Sequence, residues 1–527
     1  MLCRMWSVGL CVALLASSVA AGEPDARQAA LTSEQLDALV AQGVGQPFQP
    51  VVTDEEFLRR ISLDLAGRQP TAEELQAFLA SSQPNKRGQA IDQLLARPEF
   101  GETWANYWSD TIAFRTPPPE LTFLNYVPFE TWLAQRLNEN AGWDKIVQEI
   151  LSATGKVKDN PPVTFVAYHE GHPQRLATET ARIFMSLQVG CAQCHDHPFD
   201  DWKREQFHEL AAYFARASVK FPWNEGAETE VKDKGKGEYT MPNVSDPTKK
   251  GTEMTPAFLT GAKFDKGKSD VERRTELAKL VASADNPWFA KAYTNRIWAR
   301  LMGRGFYEPV DDFGPAVAPV LTDVHDALSA DFQASGFDVK RLFRLVLNTQ
   351  AYQQRLPSQP SVANEPFAAA TTAKLRGDEV FDSLVTAIAL PNVTPPKMEP
   401  TKEIRFPPPP KSTRDLVSEA FGFDPSARAV DVSRTLQQAM LLMNNDQLQK
   451  QVDARPESGT MLAKLLAEEA DDAKAVERLF LSVLARRPTE KERTIALEHA
   501  SSIGSRGAAF EDLLWSLINS AEFTTKR

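Results

Sequence analysis

Two thiols three positions apart with an imidazole directly after them, Cys191-Ala192-Gln193-Cys194-His195, are the residues of this chain best spaced for chemistry. Cys-x-x-Cys-His is the attachment sequence of c-type haem: Cys191 and Cys194 reach the two vinyl groups as thioethers, and His195 ligates the iron. The sixth ligand then sets much of the iron's potential. Met241 and Met254, in the polar stretch that follows, offer soft thioethers with enough intervening chain to return. Met254 is favoured because it approaches Pro256–Phe258, a segment able to anchor the stretch. His169, His172, His197 and His208 are rivals, and His197, two residues from His195, suits a supporting role better than the opposite haem face.

The same residues suit other uses. Cys191, Cys194 and His197 make three zinc ligands, with His195, His169 or His172 completing a tetrahedron. Cys191 and Cys194 can also close a small disulfide ring at a helix end. His169 and His172 are three apart and followed by Pro173, so they do not form the His-Glu-x-x-His pattern of a metalloprotease helix. Asp196 is placed to orient a ring N–H of His195 or His197, and Trp202 to shield a cofactor or fill the core. Asn295, Arg296, Trp298, Arg300 and Arg304 crowd one helix, where an arginine can meet a haem propionate or Asp311 and Asp312. Adjacency alone does not set Asp311 and Asp312 across a glycosidic bond. No Gly-rich phosphate loop, Gly-x-Ser-x-Gly elbow or dinucleotide fingerprint occurs.

Residues 1–21 read as a signal peptide: Arg4 supplies the positive charge, Val8 to Ala16 a short apolar core, and Ser17 to Ala21 a small-residue cleavage region. Cleavage removes Cys3 and Cys11, leaving the pair at 191 and 194. The expected location is outside the cytoplasm, in the periplasm or cell envelope, where haem c is attached and disulfides persist. No later apolar run approaches the length of a membrane span, so the mature chain is expected to have no transmembrane segment. With 59 basic and 70 acidic residues the chain carries −11, and loss of Arg4 makes it −12. That acidic balance argues against a nucleic-acid partner.

The elements that must position the cluster are helical. Thr53-Asp54-Glu55-Glu56 caps an amphipathic stretch, and Pro70-Thr71-Ala72-Glu73-Glu74 opens another. Helices are expected over 130–154, over 178–189 (delivering the cysteines at its C-terminal end), over 204–217 and through the 272–349 region. A polar stretch, 222–268, reads as a loop or lid with short strands, and Pro391 to Pro410 as a crossover. Arg60–Glu74 aligns with Arg478–Glu492, and Ala90–Phe100 with Leu513–Phe523, so related helical modules are expected at the two ends. The fold class is mainly α-helical, in several modules.

Residues 50–217 resemble the DUF1549 family and 272–527 the DUF1553 family. The matching pieces are Phe57–Thr71, Cys191–Phe199, Asn295–Gly305 and Glu308–Phe313. The resemblance implies an exported protein of the kind found mainly in planctomycete-type bacteria, whose relatives often carry cytochrome-like or carbohydrate-binding domains. No catalytic residues come with it. Where the family commonly has Ser-His-Pro, this chain has Val320-Leu321-Thr322 ahead of Val324-His325, which puts any family role of that histidine in doubt. The leading expectation is haem c binding for extracytoplasmic electron transfer or oxidation, with a redox partner. The alternative is a zinc- or disulfide-stabilised envelope protein that binds or processes polysaccharide, with Trp104, Trp108 and Trp132 as a sugar platform or, more simply, as core.

Overall fold

Hydroxyl and carboxylate caps decide where this chain turns helical. Thr32, Thr53, Thr71, Ser269, Ser412, Thr435 and Thr489 each accept a hydrogen bond from the third residue of the helix they open, whose own side chain bonds back. These reciprocal boxes satisfy amides that a helix start leaves without partners. The computed structural model describes residues 30–113, 127–222, 228–246, 248–357, 366–393 and 411–527. The expected signal peptide and most of the Pro-rich crossover lie outside the described residues.

The described chain is mainly α-helical, with three small sheets. Gly155–Lys156, Glu230–Asp233 and Ala217–Lys220 form an antiparallel trio with Glu230–Asp233 in the middle; Thr240–Met241 pairs with Thr252–Glu253, and Ala373–Lys374 with Thr525–Lys526. Expected helices are divided where the backbone requires it. The stretch 130–154 is two helices, Val127–Asn138 and Trp143–Ser152, separated by the left-handed Asn140 and by Gly142. The stretch 204–217 is a helix, Arg204–Ala211, a 3-10 turn and the start of a strand.

From Leu31 to Arg527 the chain is one compact unit, with two apolar clusters. The larger runs from Leu36 to Phe367, takes in Leu481 and Ala485, and holds a ring stack in which Trp108 meets Trp143 at 4.3 Å and Tyr293 at 5.6 Å, while Tyr293 meets Phe332 at 4.8 Å. The smaller draws on Leu375–Phe523 and borrows Leu63. The helix Phe289–Met302 packs in the larger cluster, so the two cores do not divide the chain into N- and C-terminal halves.

The aligned segments at the two ends have the same local build. Helix Asp54–Ala66 ends at Gly67 (φ 63°) and helix Asp472–Leu484 at Ala485 (φ 54°), both left-handed; next come capped helices, Ala72–Ala80 and Glu490–Ser502. Arg68 grips Glu74 with both terminal nitrogens, 2.9 and 3.1 Å, and donates to the carbonyl of Gln69. Arg486 grips Glu492 at 2.9 and 2.8 Å and donates to the carbonyl of Arg487. The segments also touch: Gln69 donates to the Ser482 carbonyl at 2.9 Å, and Arg487 approaches Glu55 at 3.4 Å.

Candidate functional site

The helix that leads to the cysteines is Pro173–Met185, begun by a proline at its first position and closed by Ser186 in the left-handed conformation. It starts earlier and ends earlier than the expected 178–189, because a left-handed residue terminates the helical ladder. A 3-10 turn, Val189–Gln193, follows. In a 3-10 turn residues three apart lie on one side. Val189 and Ala192, 1% and 0% exposed, therefore anchor the inner side, while Cys191 and Cys194 share the outer one. Both thiols are exposed and unbonded to each other.

His195 is exposed too, and its Nδ1 lies 2.7 Å from the Asp196 carbonyl oxygen. As donor there, Nδ1 holds the ring, and Nε2 is left as the nitrogen able to ligate. The Asp196 carboxylate is otherwise engaged: it accepts from the Arg204 amide at 2.9 Å, opening helix Arg204–Ala211, and pairs with Lys203 at 3.2 Å. These contacts, the amide first, hold its carboxyl below the usual range. His197 folds inward, its amide bonded to the Trp202 carbonyl at 2.8 Å and its Nδ1 accepting from the Phe199 amide at 3.3 Å. Trp202 is half-buried and meets Trp288 edge-on at 5.8 Å, while Phe199 is 78% exposed.

A cleft of about 440 Å³ adjoins the turn. Gln193 borders it on one side, and His169, His172, Gln174, Arg175, Thr178 and Glu179 on the other. His169 is buried, and its Nε2 has no hydrogen-bond partner among the described residues. Burial first, then Arg182 and Arg175, push its pKa down to about 3, so the ring is neutral. His172 is exposed and within 3.5 Å of Glu170. His208, buried against Tyr239 with Nδ1 at 2.8 Å from the phenol oxygen, holds the turn by pairing Nε2 with the Gln193 carbonyl at 2.9 Å. Burial lowers its pKa and raises that of Tyr239 to about 12.

The polar stretch returns to this region. Arg204 donates to the Gln193 carbonyl at 3.3 Å and to the Pro242 carbonyl at 2.6 Å, which ties the strand Thr240–Met241 to the turn. Met241 is half-buried. Met254 is 8% exposed in the larger core, its amide bonded to the Tyr239 carbonyl at 2.9 Å. The burial favours Met254 as packing and leaves Met241 as the thioether next in chain to a residue bridged to the turn.

The remaining sequence candidates are occupied elsewhere. Among the described residues, no three His, Cys, Asp or Glu side chains come together in a group able to hold a metal ion, so Cys191, Cys194, His197, His169 and His172 are not assembled around a common centre. Asp311 meets Arg182 at 3.1 Å and Ser426 at 2.9 Å, Asp312 accepts from the Gly314 amide, and Arg300 pairs with Glu379. His325 is buried, stacked on Phe306 and bonded to the Lys291 carbonyl; burial lowers its pKa to about 4. Trp104 and Trp108 are buried, with no face to offer a sugar, and Trp132 packs partly buried on Phe129.

The cysteine turn has the parts that haem attachment requires. Two free thiols point outward, an exposed imidazole has one nitrogen already engaged, and the adjoining cleft contains an orphaned buried ring nitrogen. Gln174, Arg175, Thr178 and Glu179 belong to no motif in the sequence. Their spacing marks the polar side of an amphipathic helix, and nothing in it says that a cleft lies above. No helix among the described residues is long and apolar enough to cross a membrane. Comparison with curated proteins and with solved structures gives no match. Residues 35–219 match PSCyt2, a protein of unknown function (DUF1549), and residues 273–500 match PSD1, a protein of unknown function (DUF1553). With the cysteine turn inside the first matched segment and the Asn295–Gly305 signature inside the second, the chain belongs to the DUF1549/DUF1553 family.

Proposed function

We propose that the turn Val189–His195 attaches haem c and that the protein works in electron transfer or oxidation outside the cytoplasm, in the periplasm or cell envelope, exchanging electrons with a redox partner. The observation that carries this reading is the outward pairing of the two free thiols beside His195, whose Nδ1 contact leaves Nε2 to ligate. Haem bound there supplies one-electron chemistry, with a potential governed by axial ligand, burial and hydrogen bonding. The chain's own part is to hold the thiols on one side of a short turn, orient the His195 ring through the Asp196 carbonyl, and brace the turn with His208 and Arg204. Met241 would be the thioether that helps hold the haem, since Pro242 beside it is bridged to Gln193 through Arg204. The exposed Phe199 ring beside the motif is an apolar contact for a redox partner.

Expression in a host that matures c-type cytochromes, followed by mass measurement under denaturing conditions, tests the reading. One haem mass should stay covalently bound to the native chain and be absent from the Cys191→Ser/Cys194→Ser double variant. An unmodified native chain from a host that loads a control cytochrome would refute it.

A further inference from the structure

Arg296 is 1% exposed, and among the described residues none of its three guanidinium nitrogens has a hydrogen-bond partner. It sits on helix Phe289–Met302 on the side shared by Ala299, Arg300 and Gly303, and all four line one small cavity. Trp108 lies on another side, its ring centroid 5.9 Å from the guanidinium carbon. A single cation–π contact does not offset the cost of burying an ion. Nor does arginine shed its proton in a protein.

The carboxylates around this cavity already have cations or other donors. Glu379 pairs with Arg300; Asp110 and Asp378 pair with Arg376, each at 3.0 Å; Glu308 is 3.1 Å from Arg428; Asp311 accepts from Arg182 and Ser426. A second buried donor without a partner among the described residues, Nη1 of Arg376, belongs to another lining residue. The cavity measures about 40 Å³, against the roughly 10–15 Å³ that one water requires. It has room for a few heavy atoms, and an excess of positive charge on its wall.

We propose that this cavity is an anion site that holds one small carboxylate of formate or acetate size, gripped by Arg296 with Arg376 as a further donor. The planar guanidinium fork matches a carboxylate's two oxygens, and the narrow space favours a flat three-atom head over a tetrahedral oxyanion. The site is separate from the cysteine turn and does not depend on what the turn binds.

Thermal unfolding of the full chain, with formate or acetate exchanged for chloride at fixed ionic strength, tests the assignment. The native chain and the Cys191→Ser/Cys194→Ser variant should both show a saturable rise in Tm. Arg296→Met should show none, while unfolding no lower than the native chain in chloride, because it removes an unpaired buried charge. Saturation-transfer NMR of formate with the native chain, competed by acetate, reads binding without any variant. Equal Tm in all three salts, an equal rise in Arg296→Met, or no saturation transfer would overturn the proposal.

Discussion

The seam between the two ends of the chain and the cysteine turn use polar side chains in opposite ways. At the seam, helix Asp54–Ala66 is buried along nearly its whole length, and its charges are matched by the last residues of the chain. Arg59 donates to the carbonyls of Thr525 and Glu522 at 3.0 and 2.9 Å, Arg60 to those of Arg527 and Tyr352, and Asp64 accepts from Lys526 and from the Tyr352 hydroxyl, each at 2.6 Å. At the turn, the groups best able to bond a cofactor point outward and are left free of one another. Satisfied buried polar groups make a structure specific, whereas exposed ligand atoms leave it open to chemistry. Stability and chemistry should therefore separate cleanly between the two regions.

Asp64→Ala should give the largest effect. It strands a buried ammonium, so we expect a loss of about 3–5 kcal/mol by denaturant unfolding, with covalent haem retained on whatever chain folds. Asp64→Leu with Lys526→Met, which removes both charges, should recover much of that loss. A loss below about 1 kcal/mol for Asp64→Ala would show that the seam is not built on this pair.

The methionines sharpen the contrast from the side of the turn. Met254→Ala should cost about 2–5 kcal/mol as a core truncation and leave the midpoint potential in place. Met241→Ala should cost about 1 kcal/mol or less and lower the potential, with haem still attached. The reverse assignment of potential shifts would make Met254 the ligand.

Acid tests the buried histidines, which lie apart from both the seam and the turn's exposed side chains. His169 and His325 are held neutral by burial, with pKa values of about 3 and 4 against 6.5 for the free ring. The folded state therefore binds fewer protons than the unfolded state below about pH 6.5, and stability falls as pH falls from there towards those values. Each adds a slope of up to about 1.4 kcal/mol per pH unit. His169→Phe should flatten the acid limb between about pH 6 and 4. An unchanged limb in His169→Phe would contradict the neutral buried ring.

The repeated arginine clamps should give the smallest difference. Hydrogen bonds from Arg486 hold Glu492 at about 2; at Glu74 burial opposes the charge, yet Arg68, the Thr71 amide and Arg97 still bring it to about 2. Both are partly exposed, so Arg68→Ala and Arg486→Ala should each cost about 1 kcal/mol, and by similar amounts. Their contribution is present above the unfolded value of 4.5 and is lost as pH falls towards about 2.

Much of the seam is legible in the sequence because its signals are local. The Thr-x-x-Glu boxes and the Arg-x-Pro-Thr alignment mark helix starts whatever packs on them, and the helical class follows from the spacing of Phe57, Ile61 and Leu65. The partners across the seam are distant. Asp64 and Lys526 are 462 positions apart, and no local pattern joins them. At the turn, Cys191, Cys194 and His195 stand out by spacing, while the cleft depends on helix Pro173–Met185 meeting Gln193 in space. Met254 reads as accessible because a polar stretch surrounds it in sequence. It is buried because residues around Pro256–Leu259 return to the core.

The most direct measurement is fragment mass analysis of the tryptic peptide Ile183–Lys203 from protein matured with haem c. We expect one haem joined by thioethers at Cys191 and Cys194, with a reduced-minus-oxidised spectrum of the intact chain that is lost in His195→Ala while the covalent mass remains. An unmodified peptide from that host, or a peptide carrying only a Cys191–Cys194 disulfide, would contradict haem attachment at the turn.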